Sequence, residues 1–360
     1  MDMFTNAAYL DDNSDWWIQL ASLNAVFYCK KNGENCYVGS LKGNEKALGW
    51  KVGKIIEQGD YIYFFSRYEY VLWRYSKEDK KFEMFKYLDE NVETLKGYEL
   101  DGENVWIFPN NFTAPIIKLR LSDFHTKKIS GNCGEEYEKS LITRTIYSDD
   151  VIYYASRNET NVKIGIFNTK NESIDYIDLP FAKYANCIDV FDGKIWVLYQ
   201  TTDNRRIVAI IDISTNDIKQ INLPQEVGLV DPPRYRYFRM FVKKNKIFLI
   251  GTTNYMVEMY DVENGTIEFL KETTGPFEGK TDRDILRIDI QVREDLVYIF
   301  SPTLGRIQVL DTKEQRLSAV EIDIAKELRR AIVEKISEGN AVKENEFLNL
   351  SRFLDAVVEA

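Results

Sequence analysis

Residues 237–270 decide the fold of this chain, and they read YFRMFVKKNKIFLIGTTNYMVEMYDVENGTIEFL. Short segments rich in β-branched and aromatic residues fill most of this stretch, and they are Tyr237–Lys243, Lys246–Gly251, Tyr255–Tyr260 and Thr266–Leu270. Asn245 and the dipeptide Asn264-Gly265 separate neighbouring segments, and both favour tight chain reversals. The stretch therefore predicts four short antiparallel strands joined in order by hairpins.

The same arrangement recurs along the chain, marked by a β-branched residue followed directly by an aromatic one. The pairs, 36 to 52 residues apart, are Val26-Phe27, Ile62-Tyr63, Val105-Trp106, Ile152-Tyr153, Ile195-Trp196, Ile247-Phe248 and Val297-Tyr298. A short polar residue follows each pair by 14 to 17 residues: Ser40, Ser76, Ser122, Asn168, Asp212, Asp261 and Asp311. Four-stranded repeats of this length are typical of β-propellers, whose blades bury both faces against their neighbours. The sequence thus predicts an all-β fold, a seven-bladed β-propeller of four-stranded antiparallel blades over residues 16–322.

Turn patterns inside the repeats resemble those of known propellers. Residues 192–196 (Asp-Gly-Lys-Ile-Trp) and 260–265 (Tyr-Asp-Val-Glu-Asn-Gly) look like kelch-type or quinoprotein-type turns, so the chain resembles bacterial β-propeller repeat proteins. The paired glycines of kelch blades, the Trp-Asp dipeptide of WD repeats and the Ser-x-Asp-x-Gly box of sialidases are missing. The resemblance implies the fold, and it transfers no catalytic residue and no quinone cofactor to this chain.

Both ends of the chain differ from the repeats. Residues 1–15 are predicted to be an N-terminal extension. From residue 323 onward the apolar spacing becomes helical, which predicts a C-terminal pair of amphipathic α-helices over residues 323–360. So short a segment cannot fold alone, and its apolar stripes must pack either on the propeller or on another chain. The residues expected to contact a partner are Leu328, Ile332, Ile336, Phe347, Leu350 and Leu354.

Composition and charge exclude several classes of function. The formal net charge is −10, which disfavours nucleic acid as a partner because phosphate backbones are bound by basic surfaces. His125 is the single histidine, so a metal site with several histidine ligands is excluded. The chain opens without a signal pattern and has no apolar run of the roughly 20 residues that span a bilayer, so we expect a cytoplasmic protein without membrane insertion. We further expect no metal, no cofactor, and a monomer rather than an obligate oligomer.

The four cysteines form no Cys-x-x-Cys motif. A two-residue turn at Asn32-Gly33 would place Cys29 directly opposite Cys36 on neighbouring strands. In a cytoplasmic protein such a pair is expected to stay reduced.

Arginine is concentrated in the loops that are expected to form one mouth of the propeller channel. The candidate ligand-binding residues are Arg67, Tyr68, Arg144, Arg157, Arg205, Arg234, Tyr235, Arg236, Arg239, Arg283 and Arg306. Guanidinium groups bind carboxylates and phosphates through paired hydrogen bonds, so this mouth would suit an anionic sugar, an acidic peptide or a phosphorylated small molecule. The alternative is local pairing of these arginines with loop carboxylates, namely Glu69, Glu159, Asp203 and Asp282.

Three functions follow from these observations. The first is a non-enzymatic scaffold that mediates protein–protein interaction through its loop face or its C-terminal helices. The second is a lectin-like propeller that binds an anionic sugar or an acidic peptide at the arginine- and tyrosine-rich mouth. The third is a carbohydrate-active hydrolase or lyase that uses carboxylates of the inner strands, with Glu57, Glu99, Asp189 and Asp289 as candidates. Structural pairing of these carboxylates with Arg144 or Arg239 is the alternative. No catalytic residue is predicted, and the expected partner is a protein or an anionic small ligand.

Overall fold

The computed structural model describes residues 5–20, 24–41, 52–91, 94–131, 140–157, 161–179, 182–201, 203, 205–224, 237–251, 257–272, 289–300, 306–322, 324, 326–327 and 330–331. These residues form two compact units. The first unit holds three antiparallel sheets, and the second unit holds four. Within the described residues, no helix has the length and apolar character that crossing a bilayer requires.

The first unit contains the first, second and seventh blades. The first blade comprises β1 (Thr5–Leu10), β2 (Trp16–Leu20), β3 (Ala25–Cys29) and β4 (Asn35–Ser40). The second blade comprises β5 (Val52–Gln58), β6 (Tyr61–Ser66), β7 (Glu69–Ser76) and β8 (Lys81–Asn91). The seventh blade comprises β26 (Asp289–Arg293), β27 (Leu296–Phe300), β28 (Arg306–Asp311) and β29 (Arg316–Glu321).

The second unit contains the third to sixth blades. The third comprises β9 (Leu95–Asp101), β10 (Asn104–Pro109), β11 (Ile116–Arg120) and β12 (Thr126–Ile129). The fourth comprises β13 (Leu141–Ile142), β14 (Ile146–Ser148), β15 (Val151–Arg157), β16 (Val162–Asn168) and β17 (Ser173–Leu179). The fifth comprises β18 (Ala182–Phe191), β19 (Lys194–Thr201), β20 (Arg206–Asp212) and β21 (Ile218–Asn222). The sixth comprises β22 (Tyr237–Lys243), β23 (Lys246–Gly251), β24 (Val257–Asp261) and β25 (Thr266–Leu270).

Within each unit, buried apolar clusters lie between neighbouring blades, and the sheet of the fifth blade is covered on both faces. On β19, Val197 and Tyr199 pack with residues of the fourth blade, whereas Trp196 and Leu198 pack with residues of the sixth. This is the two-residue alternation of a strand, and it makes both faces apolar. The arrangement confirms the predicted all-β fold, a seven-bladed β-propeller of four-stranded antiparallel blades.

The first blade begins earlier than the sequence predicts. β1 lies inside the segment expected to be an N-terminal extension, and it pairs with β2. Six of the seven marker pairs lie on the second strand of their blade, but Val26-Phe27 lies on the third strand, β3. The repeat was therefore misplaced by one strand in this blade, because Ala7 and Ala8 give β1 a weak strand signal.

The predicted pairing of Cys29 with Cys36 is wrong. Cys29 lies opposite Asn35, and Cys36 lies opposite Tyr28. The connection is longer than a two-residue turn, since the N–H of Lys30 donates to the carbonyl of Glu34 at 2.8 Å. Both residues are free thiols, and burial raises the pKa of Cys29 to about 12.

The described residues do not support the predicted C-terminal helical pair. Lys326, Glu327, Arg330 and Ala331 have helical backbone but outline no complete helix. This short piece packs on the first blade, where Glu327 Oε2 accepts the N–H of Tyr37 at 3.3 Å and Ala331 joins the buried cluster around Phe27. The predicted partner-contact residues, Leu328, Ile332, Ile336, Phe347, Leu350 and Leu354, lie outside the described residues.

Within the first unit, side chains of β26 join the first and seventh blades. Gln291 Oε1 accepts the N–H of Leu10 at 2.7 Å, and Gln291 Nε2 donates to the Leu10 carbonyl at 2.8 Å. Arg293 Nη2 donates to the same carbonyl at 2.6 Å and lies 3.5 Å from the carboxylate of Asp12. We call this set of contacts the blade junction. Both backbone polar atoms of Leu10 have partners there.

Candidate functional site

Three innermost strands of the second unit are irregular near their N-terminal ends. In the fourth blade the innermost strand is divided into β13 and β14 by three residues, Thr143 to Thr145. The pairing of β18 with β19 shifts between Lys183 and Cys187, and Tyr184 in this bulge has a positive φ of 44°. Strand β22 also shifts register against β23, just before Arg239. Bulges of this kind re-aim side chains and are common beside binding sites.

These irregular segments bring three predicted arginines together. Arg144 lies in the break between β13 and β14, Arg157 ends β15, and Arg239 follows the bulge of β22. All three lower the pKa of the Cys187 thiol on β18, so their guanidinium groups lie within electrostatic range of one sulfur atom. Arg239 Nη1 is also 3.5 Å from the carbonyl oxygen of Thr145, so this side chain reaches the fourth blade from the sixth. We call Arg144, Arg157 and Arg239 the arginine cluster.

A buried carboxylate lies beside the arginine cluster. Asp189 is 9% exposed on β18, and its Oδ2 accepts the N–H of Val242 on β22 at 2.7 Å. Burial raises the pKa of Asp189 to about 6, while Arg239 and the backbone hydrogen bonds act to lower it. The thiol of Cys187 is fully buried, and burial raises its pKa to about 12. Cys187 is therefore neutral at physiological pH, and Asp189 is the group of this pair that titrates near it.

Two polar atoms of the same strands are left unsatisfied. Arg239 Nε and Asn186 Oδ1 are buried, and among the described residues neither has a hydrogen-bond partner. A buried polar atom without a partner costs about 1–3 kcal/mol. Such atoms need an explanation in a native protein, and a ligand that supplies the missing partner is one.

The other predicted site residues fall into three groups. Arg205 is exposed and pairs with Asp203 at 2.7 Å, as the alternative of local pairing predicts. Arg67 and Tyr68 lie between β6 and β7 in the first unit, with Tyr68 41% exposed. The rest lie outside the described residues or have undescribed side chains, and they are Arg234, Tyr235, Arg236, Arg283 and Arg306.

Among the described residues, the inner-strand carboxylates are not paired with one another as a catalytic acid and base would be. Glu57, in the first unit, forms an ion pair with Lys77, whereas Glu99, in the second unit, accepts a hydrogen bond from Thr145 Oγ1. The side chain of Asp289 is outside the description. Among the residues that the structure describes, no group of three or more His, Cys, Asp or Glu side chains could hold a metal ion.

Sequence reasoning missed Asn186 and Cys187 as members of this site. Asp189 was predicted as one of four inner-strand carboxylates that either form a catalytic pair or pair structurally with Arg144 or Arg239. The bulge that carries Asn186 was not predicted, although Ala185 and Asn186 are of residue types that are depleted in strands. The alternation of Cys187 and Asp189, two residues apart on β18, was the one signal that these side chains share a face.

Comparison with known proteins identifies the fold but no family. Neither a protein-family model nor a curated protein sequence matches the chain. Virginiamycin B lyase from Staphylococcus aureus is similar in structure, with a TM-score of 0.60 and 13% identity over 84% of this chain and 95% of that one. A catalytically inactive histidine-to-alanine variant of that lyase with quinupristin gives a TM-score of 0.60, 14% identity, and coverage of 84% and 92%. The extracellular domain assigned to a hybrid two-component system of B. thetaiotaomicron has a TM-score of 0.58 and 12% identity, over 84% of this chain and 37% of that chain. At these identities the likeness concerns the propeller fold alone.

Proposed function

We propose that this chain is a non-catalytic, ligand-binding β-propeller that recognises the carboxylate of an anionic sugar or an acidic peptide through its arginine cluster. The observation that carries the proposal is that Arg144, Arg157 and Arg239 all lie within electrostatic range of the buried Cys187 thiol, with Arg239 Nη1 3.5 Å from the carbonyl oxygen of Thr145. A positively charged cluster is unusual in a chain whose formal net charge is −10. Positive charge concentrated on inner strands attracts anions more strongly than the same charge dispersed over loops.

The chemistry of guanidinium groups fits this role. Each guanidinium offers several N–H donors in a plane, and two of them can bind one carboxylate. Partial burial strengthens the attraction, because the effective dielectric constant near the cluster is lower than that of water. The unsatisfied Arg239 Nε supplies a donor that a bound carboxylate oxygen would accept from.

A lyase function has weaker support. The inactive variant of virginiamycin B lyase lacks one histidine, which connects that enzyme's activity to a histidine side chain. His125 is the single histidine of this chain, and it is exposed in the turn between β11 and β12, away from the arginine cluster. The arginine cluster therefore has no histidine beside it that could take an equivalent catalytic role.

A protein-interaction scaffold also has less support than ligand binding. In the described residues, few large apolar side chains are exposed, and four of the seven outermost strands carry one each: Met84, Ile218, Phe269 and Val320. Single exposed apolar residues are normal on protein surfaces, whereas interaction sites present continuous patches. A kelch-like or cytoplasmic scaffold remains a prediction of the sequence.

Isothermal titration calorimetry tests the proposal with matched ligands. Glucuronate is compared with glucose, and a glutamate-rich hexapeptide with its glutamine counterpart, so that each pair differs in carboxylate charge. We expect one of the anionic ligands to bind wild type and to bind the Arg144→Gln/Arg157→Gln variant at least about tenfold more weakly, because two charged hydrogen bonds are lost.

The control is Arg205→Gln, which removes an exposed arginine of the same unit that already pairs with Asp203. Its ligand affinity should equal that of wild type. Equal affinity of the double variant and wild type for the anionic ligand would overturn the proposal.

A further inference from the structure

Thr145 is a buried residue of the fourth blade that contacts the third and sixth blades of the same unit. It lies in the break between β13 and β14 and is 5% exposed. Its hydroxyl donates a hydrogen bond to Glu99 Oε1 on β9, in the third blade. Its carbonyl oxygen accepts a hydrogen bond from Arg239 Nη1 on β22, in the sixth blade, at 3.5 Å. One residue therefore connects an innermost strand of the third blade with an arginine of the cluster.

The side chain of Thr145 packs tightly against β9. A Cβ atom on Gly97 would lie 2.5 Å from both Cγ2 and Oγ1 of Thr145, closer than real Cβ contacts allow. Gly97 and Glu99 are two residues apart on one strand, so they face the same side of it. The glycine thus leaves space for Thr145, and the carboxylate of Glu99 fixes its hydroxyl. Because a β-branched side chain has few χ1 rotamers, fixing it also restricts the backbone that carries the carbonyl.

Arg239 contacts a blade that is not its neighbour. The fifth blade lies between the fourth and the sixth, because its strand β19 packs on both. The Arg239 side chain therefore extends past the innermost strand of the fifth blade to Thr145. Its guanidinium carbon also lies 5.5 Å from the centroid of the Phe241 ring. A ring face and a carbonyl oxygen both attract a guanidinium group without cancelling its charge, so the charge stays available to an anion.

We infer that Thr145 is a positioning residue of the arginine cluster: Gly97 and Glu99 fix Thr145, and the Thr145 carbonyl holds the Arg239 guanidinium in the orientation that binds an anion. This inference rests on the proposed function, because it concerns the same site. It also gives Glu99 a role, that of a hydrogen-bond acceptor that acts on Arg239 only through Thr145.

Sulfate is the suitable probe, because it is a fully ionised anion at pH 7 and small enough to bind the guanidinium groups alone. Calorimetric titration compares wild type with Thr145→Val, which keeps the β-branched shape and removes the hydroxyl. We expect Thr145→Val to bind sulfate about threefold to tenfold more weakly, because the hydrogen bond that fixes Thr145 is lost. Thr145→Ser keeps the hydroxyl and should bind sulfate as wild type does.

A double-mutant cycle with Arg239→Gln separates positioning from a general effect on the fold. In the Arg239→Gln background, Thr145→Val should weaken sulfate binding by less than about twofold, because the residue that Thr145 positions is absent. A loss of the same size in both backgrounds overturns the inference, since Thr145 would then act on the site without Arg239.

Gly97→Ala displaces the same threonine from the third blade, and it should weaken sulfate binding as Thr145→Val does. Gly165→Ala is the matched control, because a Cβ atom there would lie 2.2 Å from Cζ of Tyr154 and would create a comparable steric conflict in the same unit. Its sulfate affinity should equal that of wild type. Equal losses in the two glycine variants overturn the inference.

Chemical labelling tests the position of Arg239 without a ligand. Phenylglyoxal modifies guanidinium groups, and peptide mass spectrometry gives the labelling rate of Arg239 relative to the exposed Arg205 of the same sample. The rate should rise at least about threefold in Thr145→Val, because the contact with the carbonyl is loosened, and should keep its wild-type value in Thr145→Ser.

An unchanged labelling rate of Arg239 in Thr145→Val overturns the positioning role, and so does an unchanged sulfate affinity. In either case the proposed function still stands if Arg144→Gln/Arg157→Gln abolishes sulfate binding. If wild type binds no sulfate, the labelling rate decides the positioning role, and the glucuronate and peptide titrations decide the proposed function.

Discussion

The blade junction of the first unit and the arginine cluster of the second unit are both built by polar side chains, but they differ in how their polar atoms are satisfied. At the junction, Gln291 and Arg293 satisfy both backbone polar atoms of Leu10. In the cluster, Arg239 Nε is buried and, among the described residues, has no hydrogen-bond partner, while Asp189 is held as a buried acid. The first arrangement stabilises the fold, whereas the second leaves a polar atom and a carboxylate buried at a cost in stability.

The largest effect is expected from Trp106→Ala, which tests whether the second unit is tightly packed. Trp106 is fully buried and contacts the ring of Phe167 at a centroid distance of 4.8 Å. Its removal should lower the free energy of unfolding by roughly 3–5 kcal/mol, measured by urea denaturation. A loss below about 1 kcal/mol would mean that the unit is loosely packed, and the unsatisfied atoms of the cluster would then need no ligand to explain them.

The next effect concerns the junction itself. Gln291→Ala leaves the N–H of Leu10 without its partner and should destabilise the protein by about 1–3 kcal/mol. Asp12→Asn is the matched control, since Asp12 is almost fully exposed and its loss should change stability by less than about 0.5 kcal/mol. If Gln291→Ala and Asp12→Asn unfold at the same urea concentration, the hydrogen bonds of Gln291 at the blade junction do not stabilise the protein.

Asp189→Asn, in contrast, is expected to raise the free energy of unfolding. The pKa of Asp189 rises from 3.8 to about 6 on folding, so its contribution to stability is most favourable at low pH and declines as pH rises between these values. At pH 8 the buried charge costs roughly 3 kcal/mol, and removing it should stabilise the protein by about 2–3 kcal/mol. Urea denaturation at pH 4 should show almost none of this gain.

Asp175→Asn is the control for this pH effect, because it removes an exposed carboxylate of the same unit. Its stability relative to wild type should be similar at both pH values. If Asp189→Asn destabilises the protein equally at pH 4 and pH 8, Asp189 is a structural hydrogen-bond acceptor like Gln291, and the contrast between the two regions disappears.

The smallest effect is expected from Arg205→Gln, which separates loop arginines from cluster arginines. Arg205 and Asp203 are both more than half exposed, so their ion pair should contribute less than about 0.5 kcal/mol. Thermal unfolding and sulfate titration of this variant should both match wild type. A clear loss of sulfate binding would extend the binding site beyond the cluster as we have defined it.

The sequence predicted most of the fold because its repeat follows strand order directly. Ile195-Trp196 and Ile247-Phe248 lie on the second strands of their blades, where both faces are buried and aromatic residues are favoured. The first blade was misplaced because Ala7-Ala8 lacks that pattern although β1 is an innermost strand. The local sequence shows that a strand is buried, but it does not show which position in the blade that strand occupies.

The candidate site was harder to predict from the sequence than the fold. Arg144, Arg157 and Arg239 were selected because loop and strand-end arginines were grouped together, and their ligand-binding role stays a prediction. Arg205, selected by the same argument, pairs with Asp203 instead. The distinction depends on register shifts such as the one between Lys183 and Cys187, which the sequence analysis did not predict.

The blade junction also has a consequence for the order in which the protein is made. Leu10 is separated from Gln291 by 281 residues, and each blade consists of consecutive strands, so the first blade leaves the ribosome long before its partner is synthesised. Until then the apolar face of the first blade that packs against the seventh blade is uncovered. Because contacts so distant in sequence form slowly, the junction is the step at which a newly made chain is most exposed to misassembly.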